Sequence, residues 1–213
     1  WAGAQPTPSE LRRDELQVAE VEPTTGTLIA VHDFQGYMVA LAGAHRGELI
    51  LYRVGPGGAD LVAVDAHSGA ERVLLGSLPP FARDFSIDDA SGTLIYRGRH
   101  ESDSRRWVVD AIDLASGQRR RLYEDDTFAL APHAWPGGGV SLNPSEGGLA
   151  LLGSTDKQQA PFGPGVDWVQ AISRDGRFVA VLHTVAGHLP LPFVVDRQSQ
   201  VALRLPAPDL ARV

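Results

Sequence analysis

Hydrophobic runs that end in the pattern Asp-x-x-Ser-Gly recur along the chain. Two full copies occupy residues 61–69 and 108–117, and a third, at 193–200, ends in Gln200 instead of glycine. Aspartate accepts hydrogen bonds from the amides of a tight turn, and glycine tolerates the positive φ that such a turn requires. Because each copy is followed by a second short hydrophobic segment, we predict a β-hairpin at each of the three places.

A second pattern places Asp or Asn two residues after a serine, followed by a glycine that opens a β-rich run. Its copies begin at Ser86, Ser141 and Ser173, and similar runs without the serine follow Gly26 and Gly47. The chain therefore alternates short predicted strands with turn signals. Its one helical signal is residues 9–16, where the serine at the first position is a candidate N-cap.

The spacing of these patterns indicates a repeat. Gly92 and Gly176 are 84 residues apart, and Asp113 and Asp196 are 83 residues apart. Each interval therefore holds two units, and a unit of about 40–45 residues with several short strands is typical of β-propeller blades. We predict an all-β fold of antiparallel, propeller-type blades.

The two motifs together resemble the propeller repeats of TolB-like and WD40-like bacterial periplasmic proteins, a repeat type also found in prolyl oligopeptidase-like enzymes. The family pattern is Ser-Pro-Asp-Gly, a strand, a loop, a second strand and Asp-x-x-(Ser/Thr)-Gly. Residues 172–181 match it best, with Arg174 in place of the usual proline. The resemblance covers 60–206 well and 25–55 more loosely. It implies six or seven blades and a periplasmic or extracellular location.

The repeats also suggest domain boundaries. We predict an N-terminal extension over 1–24 that includes the short helix, and a C-terminal tail over 207–213. Between them, about four blades are expected, at 25–78, 81–126, 128–162 and 166–206. Because the resemblance implies more blades, three arrangements stay open: part of a longer propeller, a four-bladed ring, or a ring that a partner completes.

Composition narrows the possible functions. The 213 residues carry a net charge of −7, which disfavours binding to a nucleic-acid backbone. No apolar run approaches the roughly 18 residues of a membrane-spanning helix, so no transmembrane segment is predicted. The chain has no cysteine, which excludes disulfides, zinc–thiolate sites and thiol nucleophiles.

Motifs for catalysis, metals and cofactors are missing from the sequence. The stretch 139–143 contains Ser141 but lacks the second glycine of a hydrolase nucleophile elbow. His183 and His188 lie five residues apart across a predicted turn, and no His-Glu-x-x-His motif occurs. No catalytic residue, no metal ligand and no cofactor is therefore assigned.

One alternative concerns Asp88, Asn143 and Asp175, which occupy equivalent positions of the repeat. Some lactonase-like propellers hold a divalent cation in their central channel with Asp, Asn and Glu side chains. By that resemblance, the three residues would face one end of the channel together. The interpretation that each side chain caps its own turn is favoured.

One cluster of charge stands out from the acidic background. Seven arginines lie between residues 97 and 121, against four carboxylates. Members that are two residues apart on a strand share a face. The cluster either protects a sheet edge from aggregation or docks an anionic surface, an acidic protein or lipid headgroups. The candidate partner-binding residues are Arg97, Arg99, Arg105, Arg106, Arg119 and Arg121.

The expected function is that of a non-catalytic, extracytoplasmic β-propeller that serves as a protein-interaction or scaffold subunit. A protein with an acidic surface is the candidate partner. Association with a membrane complex differs from this only in the partner, and the oligomeric state stays open. The alternative is the propeller part of an enzyme, lactonase-like or peptidase-associated, with its catalytic groups in the channel or on a domain outside this sequence.

Overall fold

The computed structural model describes residues 14–78, 81–136, 138–144, 150–152 and 165–206. These residues form seventeen β-strands and no helix. The strand pairs are antiparallel. The chain divides into two compact units, Trp1–Phe81 and Ala82–Val213. The prediction of an all-β fold with antiparallel sheets is confirmed.

The first unit holds a two-stranded ribbon and a four-stranded sheet. The ribbon pairs β1 (Asp14–Val21) with β2 (Leu28–Gly36). The sheet runs in chain order through β3 (Met38–His45), β4 (Glu48–Gly55), β5 (Gly58–Asp65) and β6 (Glu71–Leu78).

Both faces of the central strands β4 and β5 are buried, because hydrophobic residues occupy successive positions of these strands. On one face, Leu51 of β4 lies opposite Val62 of β5. This pair and Val64 pack against Leu16 of β1 and Phe34 of β2. The ribbon therefore covers one face of the sheet.

The second unit holds three sheets, each in chain order. The first is four-stranded and contains β7 (Arg83–Asp88), β8 (Thr93–Arg99), β9 (Trp107–Asp113) and β10 (Arg119–Asp125). The second contains β11 (His133–Trp135), β12 (Gly139–Leu142) and β13 (Ala150–Leu152). The third, again four-stranded, contains β14 (Val166–Ile172), β15 (Phe178–Thr184), β16 (Leu191–Asp196) and β17 (Val201–Arg204).

The two full Asp-x-x-Ser-Gly turns form as predicted. The Oδ1 atom of Asp65 accepts the amide N–H of Ser68 at 2.6 Å, and Gly69 has a φ of 73°. Asp113 accepts the equivalent amide at 2.7 Å, and Gly117 has a φ of 72°. The turns therefore join β5 to β6 and β9 to β10. The predicted core residues beside them are buried: Leu61, Leu94, Val109 and Ile112.

The third copy of the turn keeps this geometry without its glycine. Asp196 accepts the amide of Gln198 at 2.9 Å, and Gln200 adopts the positive φ of 59°. Left-handed backbone is unfavourable for a residue with a side chain. The hairpin between β16 and β17 is therefore the strained member of the three.

Near the N-terminus, the strands depart from the boundaries that the repeats suggested. The first blade was expected to begin at residue 25, yet residues 28–36 are the second strand of the ribbon and the four-stranded sheet starts at Met38. The predicted helix over 9–16 does not include residues 14–16, which are extended in β1. Packing of Leu16 on the sheet overrides the local helical signal. Residues 9–13, and the tail predicted over 207–213, lie outside the described residues.

Candidate partner-binding sites

Arg97 does not project to solvent, which corrects the expectation that it lies on an exposed arginine face. It sits on β8 two residues after the buried Ile95, on the face that carries the core of this unit, and its side chain is 2% exposed. Its Nη2 atom lies 2.8 Å from Oδ2 of Asp84. Its guanidinium lies over the rings of Trp107 and Phe128, 4.9 Å and 4.3 Å from their centroids. Burial lowers the pKa of Arg97.

Arg99 shares a face with Arg97, as the two-residue spacing predicted. Its guanidinium stacks over the same Trp107 ring, 4.0 Å from the centroid, and Nη1 donates to the carbonyl oxygen of Ser104. Trp107 is itself buried. These two arginines therefore cover an aromatic core residue, and only Arg99 reaches the surface.

Arg119 and Arg121 of β10 converge on two carboxylates, Asp110 of β9 and Glu101 of the loop that joins β8 to β9. The Nε atom of Arg121 donates to Oδ1 of Asp110 at 2.6 Å, and its Nη2 lies 2.9 Å from Glu101. Arg119 Nη2 lies 3.0 Å from Glu101. Asp110 is buried, and its other oxygen accepts the hydroxyl of Tyr96 at 3.2 Å. The pKa of Arg121 is raised by these hydrogen bonds, although burial opposes the shift.

The remaining candidates, Arg105 and Arg106, also have carboxylate neighbours. Arg105 is exposed and pairs with Asp103 at 3.2 Å. Arg106 lies 2.6 Å from Glu124 and 3.4 Å from Asp126. When the window of the cluster is extended to residue 126, its seven arginines face seven carboxylates. The excess of arginines over carboxylates is therefore confined to residues 97–121. Binding of an acidic partner by these residues stays a prediction.

A cleft of about 440 Å³ in the second unit is a second candidate site. It is lined by the end of β7, by β11 and by the end of β14. Its polar side chains are Asp88, Asp89, His133 and Arg174. Because β7, β11 and β14 are the first strands of three successive sheets, the cleft forms where equivalent strands of the repeat come together.

Asp88 is the most constrained polar group of the cleft. Its side chain is 7% exposed, and Oδ1 accepts the amide N–H of Ala90 at 3.2 Å. Its Oδ2 atom is buried and has no hydrogen-bond partner among the described residues. Burial lowers the pKa of the neighbouring His133, which favours a neutral imidazole at pH 7. Arg174 is exposed at the cleft.

The walls of the cleft are held by two contacts between sheets. The amide of Ala134 donates to Oγ of the buried Ser86 at 3.0 Å and ties β11 to β7. Trp135 packs against Val179 and Val181 of β15 and so ties β11 to the last sheet. The cleft therefore lies between elements that are packed together.

The three equivalent repeat positions have different roles. Asp88 and Asp175 both cap their own turns, and Asp175 accepts the hydroxyl of Ser173 at 2.6 Å. Asn143 instead donates from Nδ2 to the carbonyl oxygen of Asp167 at 2.8 Å. Of the three, Asp88 alone lines the cleft. The capping interpretation is confirmed for the two aspartates.

His133 was not predicted as a site residue from the sequence, and Arg174 stood out there only as a replacement for proline. Neither residue lies in a motif with a chemical signature. The available signal was positional, because Asp88 ends the first strand of one repeat and Arg174 follows the first strand of another. Only the packing of these strands shows that the two positions meet at one cleft.

A buried histidine–carboxylate pair lies outside the cleft. Nδ1 of His183 and Oδ1 of Asp167 are 2.8 Å apart, and both side chains are buried. Burial raises the pKa of Asp167, while the hydrogen bond with His183 opposes the shift. In the described ranges, no group of three or more His, Asp or Glu side chains is placed to hold a metal ion. Nor does this part of the chain contain a helix long and apolar enough to cross a membrane.

The sequence matches no protein-family model and no curated protein. Among solved structures, TolB from Acinetobacter baumannii is similar with a TM-score of 0.67 and 13% identity, over 85% of this chain. The match spans 47% of the TolB chain, about half its length.

Two further structures come from enzymes. A puromycin hydrolase is similar with a TM-score of 0.61 and 12% identity, over 90% of this chain and 38% of its own. The propeller domain of the Trilobed protease from Pyrococcus furiosus has a TM-score of 0.55 and 10% identity, over 90% of this chain and 62% of its own. At these identities the likeness concerns the fold alone. The chain has a TolB-like β-propeller fold.

Proposed function

We propose that this chain is a non-catalytic, protein-binding propeller module, a scaffold subunit that works outside the cytoplasm, and that a partner docks at the cleft of the second unit. The observation that carries the proposal is Asp88, which lines that cleft and whose buried Oδ2 atom has no hydrogen-bond partner in the part of the chain that the structure describes. A buried carboxylate oxygen without a donor is unfavourable. A partner that supplies an N–H or ammonium group to Asp88 removes this penalty, so binding is favoured.

The chemistry of the cleft selects a partner segment with two kinds of group. Asp88 takes a donor, such as a lysine, an arginine or a backbone amide, whereas the exposed Arg174 takes a carboxylate. The cleft is also lined by Ile87, Ala134 and Ile172, and these apolar residues suit a partner side chain with a hydrocarbon stem. We infer a peptide segment of mixed charge as the occupant.

The arginine cluster forms the second part of the proposal. Arg99, Arg105, Arg106, Arg119 and Arg121 reach the surface to different extents, and Arg97 does not. An acidic partner would have to displace the exposed or half-buried carboxylates that four of these arginines contact, Glu101, Asp103, Glu124 and Asp126. Since exposed ion pairs contribute only about 0–1 kcal/mol each, such an exchange is feasible and sensitive to salt. The bond of Arg121 to the buried Asp110 would remain, because breaking a buried pair is costly.

The experiment compares two aspartates from equivalent repeat positions. Immobilised chain captures partners from a bacterial periplasmic extract, and bound proteins are identified by mass spectrometry. Asp88→Asn is expected to lose the captured partner. The matched control, Asp175→Asn, changes an exposed turn cap and is expected to retain it. Equal capture by both variants would remove the cleft from the proposal.

An enzyme module is the second candidate function, because two of the similar structures belong to a hydrolase and a protease. This chain spans 38% of the puromycin hydrolase, so an equivalent protein would carry its catalytic groups on a further domain. The test is an assay of the purified chain for esterase, lactonase and peptidase turnover, with and without Ca²⁺ or Zn²⁺. Turnover that a single point mutation abolishes would favour the enzyme over the scaffold.

A further inference from the structure

Three arginines come together at one end of sheet β7–β10. Arg83, the first residue of β7, lies opposite Arg97 of β8. Arg99, the last residue of β8, lies opposite Trp107, the first residue of β9. Residues that are opposite each other, or two apart on one strand, share a face of a sheet. The three arginines therefore lie on the face that carries Trp107, and they are here called the arginine corner.

Arg97 has hydrogen-bond donors that the described residues do not use. Its side chain is 2% exposed, and its Nη2 atom lies 2.8 Å from Oδ2 of Asp84. Its Nε and Nη1 atoms are buried and have no hydrogen-bond partner within the described ranges. Leaving a buried, charged donor without an acceptor is unfavourable. An acceptor supplied by a bound ligand would remove this penalty.

The charge of the arginine corner is only partly compensated. Burial is the main cause that lowers the pKa of Arg97, Asp84 opposes the shift, and the charges of Arg83 and Arg99 lower the pKa further. Among the described residues, neither Arg83 nor Arg99 forms an ion pair. Arg99 instead donates to the carbonyl oxygen of Ser104. Two of the three guanidinium groups are therefore left without a carboxylate.

A second carboxylate at this end of the sheet has its own hydrogen bonds. Asp125 of β10 lies opposite Trp107. Its oxygens accept the hydroxyl of Tyr123 at 3.1 Å and the amide N–H of Thr127 at 3.1 Å. It is not among the charged groups that shift the pKa of Arg97. Asp125 therefore holds the connection after β10 and leaves the charge of the arginine corner in place.

Phe128 lies on the outer side of Arg97. The centroid of its ring is 4.3 Å from the guanidinium carbon of Arg97 and 5.8 Å from that of Arg83. The ring meets the buried Trp107 edge to face at 5.0 Å, yet Phe128 itself is 51% exposed. It belongs to the connection between β10 and β11 and to no strand. Because exposed side chains change rotamer within nanoseconds, this ring can uncover Arg97 without a rearrangement of the sheet.

We propose that the arginine corner binds a phosphate-type oxyanion, with Arg97 as its anchor. Near neutral pH a phosphate monoester carries close to two negative charges, which matches the two guanidinium groups that lack a carboxylate. Its oxygens can accept from Nε and Nη1 of Arg97 and from Arg83 and Arg99 together, whereas a carboxylate has only two oxygens. The planar fork of arginine also suits phosphate geometry. Phe128 moves aside on binding, and Trp107 keeps its contact with the guanidinium.

The arginine corner is separate from the cleft of Asp88. Arg83 and Asp88 are the first and last residues of β7, and five residues of a strand span roughly 15 Å. On β8, Thr93 lies opposite Asp88 and begins the strand that Arg99 ends. Anion binding at the corner is therefore independent of partner docking at the cleft.

Isothermal titration calorimetry of the full chain tests the proposal. Inorganic phosphate and glycerol 3-phosphate are titrated separately at constant ionic strength, with sodium chloride as the blank. One site per chain is expected, with a dissociation constant of about 1 mM or below. The ligand that binds more tightly identifies the free ion or the ester as the occupant. No heat of binding from either ligand at up to about 10 mM would overturn the proposal.

Two variants that each lose one charge locate the bound anion. Arg83→Gln removes an exposed guanidinium of the corner and is expected to weaken binding by about three- to tenfold. Arg177→Gln is the matched control, because Arg177 also lies near a phenylalanine ring, that of Phe178 at 4.7 Å, but is paired with Asp196. The control is expected to keep the wild-type affinity. Equal affinities of the two variants would contradict the site.

Nitrogen-15 NMR of the wild-type chain follows the anchor directly. The Nε–H resonance of Arg97 is expected to shift when phosphate binds, because this donor then gains an acceptor. The Nε–H group of Arg177 already donates to Asp196 at 3.1 Å and is the internal control. An Arg97 resonance that stays unchanged at saturating phosphate would overturn its role as the anchor. These titrations involve no protein partner, so their outcome is judged separately from partner capture at the cleft.

Discussion

Sheet β3–β6 of the first unit and sheet β14–β17 of the second both carry hydrophobic side chains on two faces, and both close a hairpin with an Asp turn. In the first sheet, the face of Leu51 and Val62 is covered by Leu16 and Phe34 of the ribbon. In the last sheet, one face packs on Trp135 and the other leaves Leu203 exposed. The sheets have similar strands, and the difference lies in whether a neighbouring element supplies a cover.

This difference shows that the four strands of a blade-like sheet do not bury both of its faces by themselves. Burial of a sheet face contributes roughly 25 cal/mol for each Å² of apolar surface removed from water, and the ribbon provides that burial for the first sheet. The outer side of the ribbon, which carries Gln17 and Asp33 as well as the exposed Val31, then meets water. On the last sheet, Val201 and Leu203 have no comparable cover among the described residues.

The largest expected effect on stability is a difference between the covered face of Leu51 and the exposed face of Leu203. Leu51→Ala should lower the free energy of unfolding by about 2–5 kcal/mol, because it leaves a cavity in a fully buried position. Leu203→Ala removes the same atoms from an exposed position and should cost less than about 0.5 kcal/mol in dilute solution. Urea unfolding followed by circular dichroism measures both. Similar losses for the two variants would mean that the face of Leu203 is covered in solution.

The next expected effect concerns the cover itself. Phe34→Ala removes a half-buried ring that packs on the first sheet, and should lower the free energy of unfolding by about 1–3 kcal/mol. It should also speed hydrogen exchange of the β4 amides, since the ribbon is loosened. Gln35→Ala, on the opposite side of β2, is the control and should change little. If both variants behave alike, the ribbon does not stabilise the sheet.

Features that depend on residues close together in the chain could be predicted from the sequence. The turns at Asp65 and Asp113 were predictable because five consecutive residues of each supply what the turn needs. The aspartate accepts the hydrogen bonds, and the glycine four residues later takes the positive φ. The burial of Leu61 and Val109 was predictable because hydrophobic runs between turns form core strands. Local chemistry is therefore sufficient for the hairpins and for the all-β class.

Features that depend on which distant surfaces pack together could not be predicted from the sequence. Arg97 looked exposed because charged residues usually are, yet its strand face is covered and its guanidinium stacks on Trp107 and Phe128. The residues of β2 were assigned to the first blade because they resemble a strand of the repeat, and those of β1 were assigned to an N-terminal extension, so the ribbon was not predicted. The cleft was missed because Asp88 and Arg174, which are far apart in sequence, come together only through sheet packing.

The third prediction is that a carboxylate in each of the two sheets changes the stability with pH in opposite directions. In the first sheet, Arg72 donates to Glu48 at 2.7 and 2.9 Å, and this hydrogen bond lowers the pKa of Glu48 below its ordinary value of 4.5. The stability that ionised Glu48 contributes is present above its ordinary pKa and is lost as the pH falls through its lowered pKa. In the last sheet, burial raises the pKa of Asp167 above 3.8. That contribution is present at low pH and is lost as the pH rises through the raised pKa.

Melting temperatures between about pH 3 and pH 7 should reveal these opposite slopes. Glu48→Gln should cost up to about 1 kcal/mol near neutral pH and progressively less in acid. Asp167→Asn keeps an acceptor for His183 and should cost most in acid and progressively less as the pH rises. Penalties that change with pH in the same direction would contradict the assignment of the two carboxylates.

The smallest expected effect compares the turn of the first sheet with that of the last. Gly69 and Gln200 occupy the same turn position with positive φ values of 73° and 59°. Placing a side chain there costs roughly 1–2 kcal/mol, whereas the greater freedom of glycine in the unfolded chain offsets about 0.4–1 kcal/mol. Gln200→Gly should therefore raise the free energy of unfolding by about 0.5 kcal/mol, and Gly69→Gln should lower it by a similar amount. Gln198→Gly, in the same turn but without a positive φ, is the control and should destabilise. If Gln200→Gly also destabilises, the hydrogen bond from Gln200 Nε2 to the carbonyl oxygen of Arg197, at 2.9 Å, outweighs the backbone strain of this turn.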